Sequence, residues 1–168
     1  AVLARAAVLV PLVERPTGLQ VLLTQRASHL KNHPGQVSFP GGRIESMDAG
    51  PWEAALRETQ EEIGLEPRFV TRAGYLQDHL VISGFRVTPV VGFVRPGFNL
   101  QLDETEVENV FEVPLEFVLD VRNHLPRDHS IAGHTVVTHA IPYEGRQIWG
   151  ATASMLITFA RLLREVQA

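Results

Sequence analysis

The segment Arg57-Glu58-Thr59-Gln60-Glu61-Glu62 gathers a guanidinium and three carboxylates within six residues. Glu58 and Glu62 stand four apart and Glu58 and Glu61 three apart. On a helix all three acids therefore project from one side, opposite the side made by Trp52, Leu56 and Ile63. Like charges at these spacings repel by ~0.2–0.5 kcal/mol per pair on an exposed helix, and by more where water is partly excluded. A divalent cation removes that penalty. Hard Mg2+ or Mn2+ prefers carboxylate oxygens and keeps coordination positions for water and phosphate. Arg57, four residues before Glu61, is placed to fix the orientation of that side chain. Taken alone, a Glu-rich helix reads first as a solvated acidic face. The pair Gly41-Gly42 upstream shifts the reading, because a missing Cβ permits a sharp loop and lets backbone N–H groups approach a phosphate or a metal-held water.

These residues need a frame. From Pro51 to Ile63, Trp52, Leu56, Thr59 and Ile63 recur at i, i+4, i+7 and i+11, which predicts a helix opened by Pro51 and stopped by Gly64. Val2–Val13 and Leu19–Thr24 are β-branched apolar runs broken by Glu14-Arg15-Pro16-Thr17-Gly18, and read as two strands joined by a turn. Arg26 to Gly42 has no clear period and reads as a long ordered loop, a common seat of function. Further strands are expected at Phe69–Leu76, Phe85–Val94, Val107–Val113, Thr135–Ile141 and Gln147–Trp149, with a short helix at Leu115–Leu119 and a closing amphipathic helix at Ala151–Val166. Strands, helix, strands, helix is the order of an α/β fold with helices packed on a mixed sheet.

The 168 residues, 45% of them hydrophobic, suffice for one domain spanning 1–168. A net charge of −4, from 15 Lys+Arg against 19 Asp+Glu, argues against a nucleic-acid partner, so a phosphate-bearing ligand must be met locally or through a cation. Cysteine is absent, which removes disulfides, a thiol nucleophile and thiolate metal sites. No apolar run reaches the ~20 residues of a membrane span, and Ala1-Val2-Leu3-Ala4-Arg5 lacks the regions of a signal peptide. A soluble, cytoplasmic protein with no membrane partner is the expectation.

Taken together, Gly42 through Leu65 resembles the Nudix box, a glycine and an acidic residue followed by Arg-Glu-x-x-Glu-Glu-x-Gly and an aliphatic residue. Arg57, Glu58, Glu61, Glu62, Gly64 and Leu65 match its downstream half. Asp48 stands where the box usually has Glu, eight residues separate it from Arg57 instead of seven, and Thr59 replaces the usual bulky apolar residue. The one-residue expansion is similar to the coenzyme A pyrophosphatase branch. Leu22 to Ala27 and His29 to Gly42 follow that branch's signature almost position by position, with Lys31 where Arg is more usual, and Glu104–Leu115 and Ile148–Ala153 also resemble it.

The resemblance implies a Nudix α/β/α sandwich and metal-dependent hydrolysis of the diphosphate of coenzyme A or a CoA ester, giving 3′,5′-ADP and 4′-phosphopantetheine or its acyl form. Under it, Glu58, Glu61, Arg57 and Glu106 are the catalytic candidates, Glu106 standing where such enzymes often place a further metal-binding or water-activating carboxylate. Glu58 and Glu62, with Glu61 and Gly42, would hold Mg2+ or Mn2+. Arg26, Lys31, His33 and Gly41 would meet the substrate, and a homodimer is left open. The competing readings are a Nudix hydrolase of another nucleoside diphosphate derivative such as ADP-ribose, and a non-catalytic nucleotide-binding module. Trp149 is expected in the core before the last helix, and His124, His129, His134 and His139 lack the spacing of a helical metal pair.

Overall fold

The computed structural model describes residues 3–32, 34–81 and 83–167. Strand β1 (Ala4–Arg15) and β2 (Gly18–Arg26) form the expected antiparallel hairpin. The loop that follows contains two short strands, β3 (Val37–Ser38) and β4 (Gly41–Arg43), and leads into α1 (Pro51–Ile63). Next come β5 (Val70–Tyr75), β6 (His79–Leu80), β7 (Phe85–Val94), β8 (Val107–Pro114) and the short α2 (Leu115–Leu119). A hairpin, β9 (Leu125–Ile131) and β10 (His134–Tyr143), then β11 (Arg146–Ile148), precede α3 (Gly150–Gln167).

The large sheet runs β3-β2-β1-β7-β5, with β4 on β1, β6 on β7 and β8 on β2. It is mixed because β1 and β7 pair in parallel, Ala4 opposite Phe85 through Val13 opposite Val94, while their other pairings are antiparallel. Both faces are covered, so the central strands are apolar on both sides instead of alternating with polar residues. Along β1, Ala7, Leu9 and Val13 pack with Ala54, Ala55 and Ile63 of α1. Ala6, Val10 and Leu12 pack with Ala153, Met155, Leu156 and Phe159 of α3. The expected mixed sheet between helices is what forms.

The short strands β3, β4 and β6 were not expected from sequence, and neither was the longer β9. Strand β9 is exposed along its whole length, as is β10 from His134 to His139, so no buried face imposes an alternating pattern. No helix among the described residues is long and apolar enough to cross a membrane.

Candidate active site

Helix α1 starts at Pro51, whose missing N–H costs nothing in the first turn, and stops at Gly64, which takes the left-handed conformation at φ 75°. Its last carbonyls are claimed from outside, where the Gln101 amide donates to Ile63 and the Asp103 amide to Glu62. These bonds lash the segment carrying Glu106 to the end of the helix.

The strand β4 lies against the same helix. Gly41 and Gly42 pair with Val8 and Ala7 of β1, and each glycine is required for a different reason. A Cβ on Gly41 would stand 2.3 Å from the Ala7 carbonyl oxygen and 2.6 Å from Val8 Cα, both backbone atoms. A Cβ on Gly42 would instead stand 2.6 Å from the Glu58 carboxyl carbon. Gly41 is thus demanded by the fold and Gly42 by the position of one carboxylate. The Gly41 N–H donates to Glu62 Oε1 at 3.1 Å. That amide, expected to meet the substrate, donates here to a carboxylate.

Arg57 ties the helix to the loop before it. Its Nε and one terminal nitrogen donate to the two oxygens of Asp48, each at 2.9 Å, and its other terminal nitrogen reaches Glu58 at 3.1 Å and Glu61 at 3.3 Å. The paired bonds to Arg57 are the main reason the Asp48 carboxyl lies below the usual carboxylate range, and the Glu45 N–H, donating to Asp48 at 2.8 Å, adds to the effect. The Glu45–Asp48 turn, closed by the Asp48 N–H donating to the Glu45 carbonyl at 3.0 Å, carries Asp48 to Arg57. This gives Asp48 a role the spacing left open: it locks the arginine that orients Glu58.

The acids do not share one solvent side. At about 100° per residue Glu62 lies only about 60° from buried Thr59 on the helical wheel, at the edge of the buried face, whereas Glu61 lies about 60° to the other side of Glu58. Accordingly the Glu61 side chain is 58% exposed and held by Arg57, while the Glu58 side chain is 20% exposed. Thr59 itself is buried and returns its hydroxyl to the Ala55 carbonyl at 2.6 Å, so the polar replacement in the box is satisfied within the helix.

Glu58, Glu62 and Glu106 line one cleft of about 270 Å3 together with Arg26, Thr24, Gly41 and Gly42. Burial pushes the Glu62 carboxyl up to about 8; the Gly41 N–H opposes the rise, Glu58 and Glu106 add to it, and Arg26 opposes it. Burial likewise raises Glu58, against the bond from Arg57, with Glu61 and Glu106 adding repulsion. The neighbours of Glu106 are occupied elsewhere. Asp103 accepts from the Thr105 N–H and hydroxyl, and Glu108 accepts from Ser28 at 3.3 Å. Glu106 is therefore the acid of its segment that faces Glu58 and Glu62.

The long loop divides in two. Arg26 lines the cleft, its Nε donating to the Asn32 carbonyl at 3.2 Å while its backbone closes the loop through Gln36 and Gly35. Lys31 is exposed and lies outside the cleft lining, and His29 lines a separate outer hollow with Asp103 and Glu108. His33 lies outside the described residues. Trp149 is not a core residue; it is 46% exposed and lines a larger groove that adjoins the cleft at Arg26, Ser38 and Phe39. The polar side chains Thr24 and Ser38, which bond each other across the β2–β3 pair, escaped the sequence reading; a polar residue ending an otherwise apolar strand is their only signal.

Among the described residues no three acidic or histidine side chains converge into a closed cation cage. Glu62 turns to the Gly41 amide and Glu58 to Arg57. The donor set still fits a hard divalent cation, since such an ion keeps several waters and takes substrate phosphate, needing one or two carboxylates and not a cage. Burial is the main reason both carboxyls are raised, and mutual repulsion among Glu58, Glu62 and Glu106 adds to it, a repulsion that a bound cation would relieve.

A helix with a glycine strand at its flank and carboxylates turned into a common cleft defines a class, and comparison with known families agrees: the NUDIX domain model matches residues 3–133, and the chain belongs to the Nudix family. Family members generally use divalent ions such as Mg2+ or Mn2+. Nudix hydrolases named NudL, themselves uncharacterized, are 44% identical over 153 residues in Enterobacter sp. (strain 638) and 45% in Salmonella paratyphi B, covering 90% of this chain and 79% of theirs. Among solved structures, a C. elegans Ap4A hydrolase matches at TM-score 0.63 and 18% identity, covering 96% of this chain and 98% of that one. The NUDIX domain of Shewanella oneidensis NrtR, complexed with ADP ribose, matches at TM-score 0.59 and 17% identity, covering 97% and 90%. At such identities these two establish the shared fold.

Proposed function

We propose that this Nudix hydrolase cleaves the diphosphate linkage of coenzyme A or a CoA ester, releasing 3′,5′-ADP and 4′-phosphopantetheine or its acyl form. The loop signature from Leu22 to Gly42 supports the substrate. The observation that carries the reading is that Arg26 of this loop stands where the carboxylate cleft meets an elongated, apolar-walled groove. A substrate with a diphosphate at its centre and a long arm to one side fits that arrangement.

Hydrolysis adds the hydroxyl of water to one phosphorus, breaks the bridging P–O bond and returns the proton to the other phosphate. The linkage resists water because both partners are rich in electrons, so charge neutralisation and an aligned, deprotonated water are needed. Glu58 and Glu62, with the more exposed Glu61, would hold Mg2+ or Mn2+, which when bound draws charge from the phosphoryl oxygens and eases deprotonation of water. Gly42 leaves the space in which the Glu58 carboxylate sits, Gly41 and Arg57 fix the two carboxylates, and Glu106 in the same cleft accepts the water's proton. Arg26 supplies a positive group to the diphosphate at the mouth of the groove.

A substrate panel with product identification tests the reading. Higher kcat/KM for CoA or a CoA ester than for ADP-ribose, a diadenosine polyphosphate or a nucleoside triphosphate is expected. A preference for ADP-ribose removes the CoA assignment and leaves the hydrolase.

A further inference from the structure

The groove beside the cleft has a volume of about 890 Å3 and runs along α3. One face of that helix forms its floor: Ala151, Ser154, Thr158 and Arg161 recur at three- or four-residue intervals. Its near end is pinned to the cleft. The Thr152 hydroxyl donates to the Val37 carbonyl at 3.1 Å, and a Cβ on Gly150 would lie 3.6 Å from the Gln36 side chain, next to the backbone bond from Arg26 to Gln36. Arg161 lies eleven residues beyond Gly150, about 16 Å farther at 1.5 Å per residue. Its lining therefore holds two guanidiniums, Arg26 beside the cleft and Arg161 farther along α3, with apolar surface from Leu80, Val81 and Val137. No Asp or Glu lines it, although the chain carries a net charge of −4. Arg161 makes no ion pair among the described residues, so its charge remains free for a ligand.

We infer, resting on the proposed cleavage of CoA, that this groove holds the pantetheine arm and that Arg161 selects thioesters whose acyl group ends in a carboxylate. The arm is a slender chain with two amides and an apolar stretch, which suits apolar walls interrupted by the Ser154 and Thr158 hydroxyls. The nucleotide half does not suit the length. The 3′-phosphate is six bonds from the diphosphate, under about 9 Å at roughly 1.5 Å per bond even if straight, and cannot span the distance between these two charges. A carboxylate at the end of an acyl chain lies on the far side of the arm, where Arg161 stands.

The test compares the succinyl and butyryl thioesters of CoA, equal in acyl length and different in terminal charge. Wild-type enzyme is expected to cleave the succinyl ester with roughly ten-fold higher kcat/KM, the scale of one charge-assisted hydrogen bond. Arg161→Ala is expected to bring the ratio near one, and Arg161→Glu to bring it below one. A wild-type enzyme that cleaves CoA but treats the two esters alike overturns this inference and leaves the proposed function standing. Failure to cleave CoA or either ester removes both. If Arg161→Ala loses activity on CoA but not on dephospho-CoA, the groove holds the 3′-phosphate end and the inference is overturned. Circular dichroism on each variant shows that the ratios are read on folded protein, and because each ratio compares two substrates on one variant, a general loss of stability does not move it.

Discussion

The carboxylate cleft and the α3 groove meet at Arg26 and are built on opposite plans. Glu58, Glu62, Gly41, Gly42, Glu106 and Arg26 all fall within the residues 3–133 that match the family, whereas His139, Trp149 and the whole of α3 lie beyond them. At the cleft Glu62 is held by the Gly41 N–H, Glu58 by Arg57, Arg57 by Asp48 and Arg26 by the Asn32 carbonyl. In the groove, Arg161 makes no side-chain hydrogen bond or ion pair among the described residues. The contrast separates chemistry, which demands fixed geometry, from selectivity, which requires only charge at the right distance.

The largest expected break is in the cleft. Glu58→Gln and Glu62→Gln keep shape and remove the charge proposed to bind a cation, and turnover should fall by about a hundred-fold or more. Stability should respond differently. Because the folded Glu62 carboxyl titrates at about 8, above its ordinary value of 4.5, ionising it destabilises the fold. Glu62→Gln should therefore melt at or above the wild-type temperature at pH 8–9 when no divalent ion is present. A large drop in Tm, or full activity, would contradict the assignment.

The two glycines give the next effect. Gly42→Ala pushes only the tip of a side chain, so the fold should lose less than about 1 kcal/mol while turnover falls at least ten-fold. Gly41→Ala meets backbone, so its loss should be of stability, on the order of several kcal/mol. Thermal melts paired with turnover on both variants separate the roles, and identical behaviour would erase the distinction.

A smaller effect follows from the folded Asp48 carboxyl lying below its ordinary value. The Asp48–Arg57 pair then contributes stability that is present above pH ~4 and lost as pH falls through the depressed folded value. Asp48→Asn should lower Tm at neutral pH, and the gap from wild type should close below pH ~4. A gap independent of pH would mean the pair is held by packing alone. Glu62 also has a pH signature of its own: without a divalent ion, wild-type Tm should decline as pH rises from about 4.5 to about 8, and added Mg2+ should offset the decline.

The helix that carries the chemistry was legible to the residue, Pro51 to Ile63, because a proline, a recurring apolar face and a glycine stop agree on one answer. The Phe85–Val94 strand was equally plain from its Phe and Val residues and the Arg95-Pro96-Gly97 stop that closes them. What sequence could not yield depends on contacts between distant segments. The β4 glycines read as loop because their partners on β1 are more than thirty residues away, and Asp48 stayed unassigned because its meaning lies in the turn that brings it to Arg57. Trp149 was misread because an aromatic before a helix looks the same whether it faces core or groove. Arg161 drew no notice, since a lone arginine on an amphipathic helix carries no pattern.

Incubating the chain with CoA and Mg2+, with and without chelator, and identifying the products by mass tests the central claim most directly. The account predicts 3′,5′-ADP and 4′-phosphopantetheine in equal amounts, formed only when the cation is free to bind. Cleavage that persists undiminished in chelator, or intact CoA under conditions where ADP-ribose is hydrolysed, would contradict it.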